Sequence, residues 1–190
     1  MNNVSQLIEK RRSVWTYLEK EIKSDDLSAL NNYLSTISNP FNAPVEFKFL
    51  DANTHGLKCP VITGTNTFLA GKIKRFDGFE IAFGYSFEKA ILYATSLNLG
   101  TVWLGGTFNR SAFEKAMELK EDEAMPCATP LGYISEKMSV KEKLMRSAIK
   151  ADSRLPFEKL AVTTGINPTP IDIVNVGIKL KSVYAFPLIP

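Results

Sequence analysis

Metal and thiol chemistry have little to work with in this chain. It carries one histidine and two cysteines among 190 residues. Cys59 and Cys127 match no CxxC or zinc-ligand spacing. His55 stands alone in the polar stretch Asp51-Ala52-Asn53-Thr54-His55-Gly56, without a second histidine or clustered carboxylates, and reads as an exposed loop residue. The N-terminal residues Met1 to Leu7 lack an apolar core and a small-residue cleavage site, so nothing there reads as a signal peptide. The thiols are accordingly expected to be reduced and partly buried, and the protein cytoplasmic. Charge of one sign is also scarce. The 23 Lys and Arg against 20 Asp and Glu leave a net charge of +3. That suits local anion sites and excludes the dense basic runs of a nucleic-acid binder. No stretch approaches the roughly 18 unbroken apolar residues of a membrane span.

What is present is core-forming material. With 45% hydrophobic residues the chain can build one globular domain, or two small subdomains. Val4, Leu7 and Ile8 share a face of a first helix, which ends at the basic turn Lys10-Arg11-Arg12-Ser13. Val14 to Ile22 is mixed and reads as extended or irregular. Ser24 is placed to cap a second helix, with Asp25 and Asp26 in its first turn and Leu27, Leu30, Leu34 and Ile37 inward. Asn39-Pro40-Phe41-Asn42-Ala43-Pro44 then makes a rigid loop. Val45 to Phe49 alternates as a half-buried strand, and Cys59 to Gly64 reads as a second short strand. Thr63 to Gly78, rich in Thr, Gly, Lys and Asn, reads as mobile connecting structure.

The most ordered pattern follows. A helix from about Ser86 to Leu99 buries Ala90, Ile91, Ala94 and Leu97, with Tyr93 and Asn98 beside them. Gly100 suits a left-handed helix stop, and Thr101-Val102-Trp103-Leu104 reads as a short core strand ending on Gly105-Gly106. Asn109 is placed to cap a helix over Arg110 to Leu119, with Phe113, Ala116 and Met117 inward. Glu121-Asp122-Glu123 reads as a solvated acidic turn. Met125 to Ile134 reads as a kinked strand whose two prolines favour an edge position or an irregular ladder. Ser139 and Glu142 form a capping box opening a helix to about Ile149. The tail from Ala151 begins polar and ends apolar. Helices and short strands alternate without βαβ regularity, which predicts an α+β fold with helices packed on a mainly antiparallel or mixed sheet.

Four features could carry chemistry. Arg11, Arg12 and Ser13 could grip a phosphate through guanidinium forks and a hydroxyl, or simply complement a helix C-terminus. Trp103-Leu104-Gly105-Gly106 could let backbone N–H groups approach a planar ligand, or be a core tryptophan with an ordinary turn. Pro130-Leu131-Gly132-Tyr133 is a strand end with a glycine. Arg154 sits two residues before Pro156.

In their order and spacing, R-R-S, then L-x-L-G-T-x-W-L-G-G, then P-L-G-Y, then R-x-P, these features resemble the nitroreductase family of FMN-dependent oxidoreductases. The nearest likeness is to the putative-nitroreductase branch typified by a Thermotoga protein, over roughly residues 4 to 160. The resemblance implies an α+β nitroreductase-like fold binding FMN non-covalently, with Arg11, Arg12 and Ser13 on its phosphate and ribityl chain. It implies a further phosphate contact from Arg154, and Leu104, Gly105 and Gly106 lying against the flavin. It implies hydride transfer from NAD(P)H through the flavin to a small-molecule acceptor such as a nitroaromatic or quinone, in a homodimer. No protein acid or base is assigned, because the flavin carries the chemistry. A catalytically degenerate relative that only binds ligand, or serves a structural role, is the alternative.

The chain departs from the family pattern in two places. A second basic residue is common two positions after the R-R-S serine, and here that position is Trp15; Lys72, Lys74 and Arg75 are substitute cations by composition only. The family's P-S-x-x-N-x-Q-P-W motif is replaced after helix two by Asn39 to Phe47. Residues 1–160 are expected to form the nitroreductase-like domain, and 161–190 a C-terminal extension that reads as a truncated or degenerate second repeat.

Overall fold

The structure, a computed structural model, describes residues 4–148. The predicted Arg154, the tail from Ala151, the end of the last helix at Ile149 and the boundary at residue 160 therefore lie outside the described residues. The elements run α1 (Val4–Lys10), α2 (Ser24–Leu34), β1 (Glu46–Asp51), α3 (Ala52–His55), β2 (Thr67–Lys74), α4 (Phe79–Ser96), β3 (Leu99–Gly100), α5 (Arg110–Ala116), β4 (Glu123–Ala124), β5 (Ala128–Tyr133) and α6 (Val140–Ala148). The strands form one sheet in the order β1-β2-β5-β3, with β4 continuing beside β2, and each ladder is antiparallel. This is the expected α+β architecture.

The centre of the sheet is β2, in the segment expected to be mobile. Residues 68–73 are all buried. Phe68 and Ala70 face one core, with Leu50, Leu104, Phe113, Met117 and Ala128. Leu69 faces the opposite core with Leu30, Leu34, Ala90, Ala94 and Leu131, and Ile73 joins Phe83, Phe87 and Ile91. A strand covered on both faces has no polar side, so the period-two signal disappears.

The main helix, α4, begins at Phe79, earlier than its stripe predicts, and lays Phe83, Phe87, Ala90, Ile91 and Ala94 on the sheet. The left-handed residue after it is Asn98 (φ 60), not Gly100. Asparagine tolerates that conformation. Gly100 belongs to β3, where a Cβ would meet Ile134, Tyr17 and Val14 side chains at 3.0–3.1 Å.

Other expectations change for tertiary reasons. Ser24 lies inside α2; the cap position is Lys23, which has no side-chain capping bond, and its N–H donates instead to the Tyr133 hydroxyl at 3.2 Å. Asp25 and Asp26 do occupy the first turn, but the helix stops at Leu34. Asn109 holds the predicted cap position of α5, yet its Oδ1 accepts from Lys58 N at 2.7 Å rather than from its own helix. That helix ends at Ala116, while Phe113, Ala116 and Met117 are buried as expected. Cys59 to Gly64 is no strand: Thr63 makes a single bridge with Thr16. Thr101 and Leu104 likewise make isolated bridges instead of a continuous strand.

Glu123 is buried in β4, its carboxylate 3.2 Å from Lys72 Nζ, so the acidic turn is not wholly solvated. β5 is interior rather than an edge, and on the side facing β3 its ladder is irregular, the other arrangement the two prolines allow. It tolerates Pro130 because β3 pairs only with Gly132 and Tyr133, leaving one side of β5 without a strand partner at the proline. Ser139 Oγ accepts from Glu142 N at 3.1 Å, one half of the capping box; the Glu142 carboxylate instead accepts from Thr16 Oγ1 at 2.6 Å. Cys59 and Cys127 are free thiols, half-buried and buried, and His55 is exposed at the end of α3.

Candidate functional site

The Arg11-Arg12-Ser13 turn is the continuation of α1. Arg11 N still donates to Leu7 O at 2.8 Å. The chain then leaves the helix and is laced into the sheet. Ser13 bridges Thr101 in parallel, and Val14 N donates to Thr101 O at 3.0 Å. Tyr17 N donates to Thr63 O at 2.8 Å, and Leu18 N to Tyr133 O at 2.9 Å. The buried Tyr17 hydroxyl donates back to Val14 O at 2.7 Å, closing the turn on itself. The chain passes Gly64 so closely that a Cβ there would lie 2.0 Å from Tyr17 O, and Gly64 has φ +89. Only glycine meets both demands.

This lacing brings the R-R-S turn to the segment that follows α4, some 90 positions away. Arg11 is only 7% exposed. Its Nε lies 3.7 Å from Glu88 Oε1 on α4. The other Glu88 oxygen accepts from the Trp103 indole N–H at 3.1 Å. Arg11, Glu88 and Trp103 therefore form a chain of contacts from the turn to the W-L-G-G segment. Burial pushes the Glu88 carboxyl up to about 7, against the pull of Arg11 and the indole. Burial also lowers the Arg11 guanidinium, and the Glu88 charge opposes it. Among the described residues, Arg11 Nε, Glu88 Oε1 and Thr101 Oγ1 are buried without a hydrogen-bond partner. Sequence reasoning missed Glu88. Its one signal was a carboxylate three residues before Ile91, on the buried side of an apolar helix.

The other predicted residues are placed as follows. Arg12 is exposed and Ser13 half-buried. Leu104 is buried and exchanges backbone hydrogen bonds with Ala128 at 2.8 and 3.3 Å. Gly105 and Gly106 are exposed, and a Cβ on Gly106 would meet nothing within 4 Å. Gly105 O accepts from Arg110 Nη2 at 2.7 Å, which fixes the start of that open stretch.

Trp15 is buried in the core with Val102 and Leu104 and presents no charge. The substitute cations are engaged elsewhere. Lys72 contacts Glu123 and Glu46 at 3.2 and 3.4 Å, Lys74 contacts Asp122 at 3.9 Å, and Arg75 Nε donates to Glu123 O at 3.0 Å. An open cleft of about 840 Å³ lies between Glu19–Ile22 and Ile62–Thr67, and none of the predicted cofactor-binding residues lines it.

Solved structures share this fold. A nitroreductase family protein from Clostridium difficile aligns with TM-score 0.62 at 16% identity, over 87% of this chain and 100% of its own. Nitroreductase A from Vibrio parahaemolyticus aligns with TM-score 0.61 at 17% identity, over 93% and 82%. A Desulfovibrio desulfuricans protein, described as a putative nitroreductase in complex with FMN, aligns with TM-score 0.61 at 19% identity, over 88% and 99%. No curated protein matches the chain. Among the described residues, no helix is long and apolar enough to cross a membrane, and no group of three or more His, Cys, Asp or Glu is placed to hold a metal. The family model described as Putative TM nitroreductase matches residues 3–178, and the chain belongs to that nitroreductase family.

Proposed function

We propose that this protein is an FMN-dependent NAD(P)H oxidoreductase. The observation that carries the reading is the meeting of the R-R-S turn with the segment after α4, through Ser13–Thr101 and Arg11–Glu88–Trp103. When bound, FMN would supply the redox chemistry, ping-pong hydride transfer from NAD(P)H to a nitroaromatic or quinone acceptor. The chain's own residues bind and orient it.

Two features fit the cofactor. Arg11 offers a buried guanidinium nitrogen without a hydrogen bond, and Gly106 has open space beside it. Ser13 and Arg12 would join Arg11 on the phosphate, with Arg154 as a further contact. Leu104, Gly105 and Gly106 would flank the ring, with Leu104 held by its bonds to Ala128. A homodimer belongs to the same proposal. Ile81 and Tyr85, 66% and 47% exposed one turn apart on α4, support it with an apolar strip. Light scattering of the purified protein tests it; a monomer at tens of micromolar argues against it.

The flavin reading is tested by an absorbance spectrum of the purified protein with and without added FMN. Retained flavin absorption or binding tighter than micromolar supports it; the absence of both overturns it. One observation favours a second reading, a nitroreductase-fold protein that binds ligand without turnover. The position at which the family pattern has a second basic residue is Trp15, buried in the core, so this chain supplies no charge there to stabilise reduced flavin. That reading predicts no NAD(P)H oxidation in saturating FMN, and turnover with nitrofurazone or menadione rules it out.

A further inference from the structure

The charged cluster beneath the R-R-S turn supports an inference that rests on the flavin reading. The Arg11 and Glu88 side chains are 4% and 15% exposed, and their nearest atoms stand 3.7 Å apart. That is beyond hydrogen-bond range. A buried ion pair recovers its desolvation cost only with close geometry and satisfied hydrogen bonds. Here Arg11 Nε and Glu88 Oε1 both lack a hydrogen bond among the described residues. A phosphate offers a guanidinium bidentate, charge-assisted bonds that this carboxylate does not make. Glu88 keeps its own second anchor, the Trp103 indole, whichever way Arg11 turns.

We infer that Glu88 is a positioning residue that withholds Arg11 from the flavin phosphate when ionised and releases it when protonated, so that flavin binding takes up a proton at Glu88. The groups facing Glu88 are few. Arg11 comes from the turn after α1 and Trp103 from the segment after β3. The buried Cys127, ahead of β5, feels the Glu88 charge and is itself under Arg110 of α5. Burial holds the Cys127 thiol well above its ordinary value, so it stays neutral around pH 7. Arrival of a phosphate would remove the cation that favours Glu88 ionisation and add an anion nearby, both of which favour proton uptake.

The test compares wild type with Glu88→Gln, which keeps an acceptor for the indole but cannot ionise. Dissociation constants for FMN and for riboflavin, which lacks the phosphate, are measured between about pH 6 and about pH 8. With a carboxyl titrating near 7, roughly a tenth of wild type is protonated at about pH 8, so FMN binds about tenfold more weakly than to E88Q. The two proteins converge at about pH 6, and riboflavin shows no such difference. Titration of the FMN phosphate itself cancels in the ratio. A second readout needs no flavin: Trp103 fluorescence in the apoprotein should change with a midpoint near 7 in wild type and not in E88Q. A pH-independent FMN ratio, a weaker E88Q at every pH, or no fluorescence transition in wild type overturns the inference while leaving the flavin reading standing. FMN binding absent from both proteins at every pH overturns the flavin reading and this inference with it.

Discussion

Replacing Glu88 with glutamine should remove a pH dependence of folding that wild type carries. In the fold this carboxyl titrates near 7 against an ordinary value of 4.5. A folded pKa above the unfolded one means the native state binds more protons, so stability is fully present below about pH 4.5 and is lost as pH rises through 7. Integrated between about pH 5 and about pH 8, the loss is roughly 2–3 kcal/mol. Other resolved carboxylate shifts, at Asp51, Glu118 and Glu123, are downward. Their contributions are lost as pH falls through the ordinary carboxylate range and below, outside this window. Urea unfolding followed by far-UV circular dichroism at several pH values gives the midpoint and slope for both proteins. At constant slope, wild type should lose stability relative to E88Q by roughly 2–3 kcal/mol on going from about pH 5 to about pH 8. Parallel curves for the two proteins would show that Glu88 is not held in a charge-hostile site.

Two further perturbations probe the packing. Phe113 is fully buried and meets Phe68 edge-on at 5.2 Å between ring centroids and Phe108 at 4.8 Å; Phe113→Ala should cost about 3–5 kcal/mol, read as a lower urea midpoint. Gly64→Ala places a Cβ against the Tyr17 carbonyl at a positive φ. It should cost about 2 kcal/mol or more and loosen the Tyr17–Thr63 bond, measured as faster amide exchange at Tyr17. Unchanged exchange there would mean the chain relieves the clash elsewhere.

Much of the candidate site's composition was legible before its geometry. Arg11-Arg12-Ser13 and Trp103-Leu104-Gly105-Gly106 stand out because residues of unusual chemistry cluster where helices end, and the chain does bring the two segments together. Glu88 was not legible in the same way. A glutamate on an apolar helix reads as solvated until the fold shows Arg11 and Trp103 on either side of it. Nor could residue types say which way Arg11 turns, since an arginine after a helix can face solvent, phosphate or a buried carboxylate equally well.

By itself, the sequence determined the α+β class, the inward faces of α2, α4 and α5, and the two segments that meet at the candidate site. Those properties follow from periodicity and local chemistry carried within one segment. Only the tertiary structure decided that β2 is the central strand, because burial on both faces erases the alternation that marks a strand. It alone decided that β5 lies inside the sheet, that Ser24 and Asn109 give up their capping bonds, and that Gly100 serves close packing while Asn98 ends the helix. The capping and packing outcomes depend on partners distant in the chain, Tyr133 for the start of α2, Lys58 for Asn109 and Tyr17 for Gly100, just as the surroundings of Glu88 depend on Arg11.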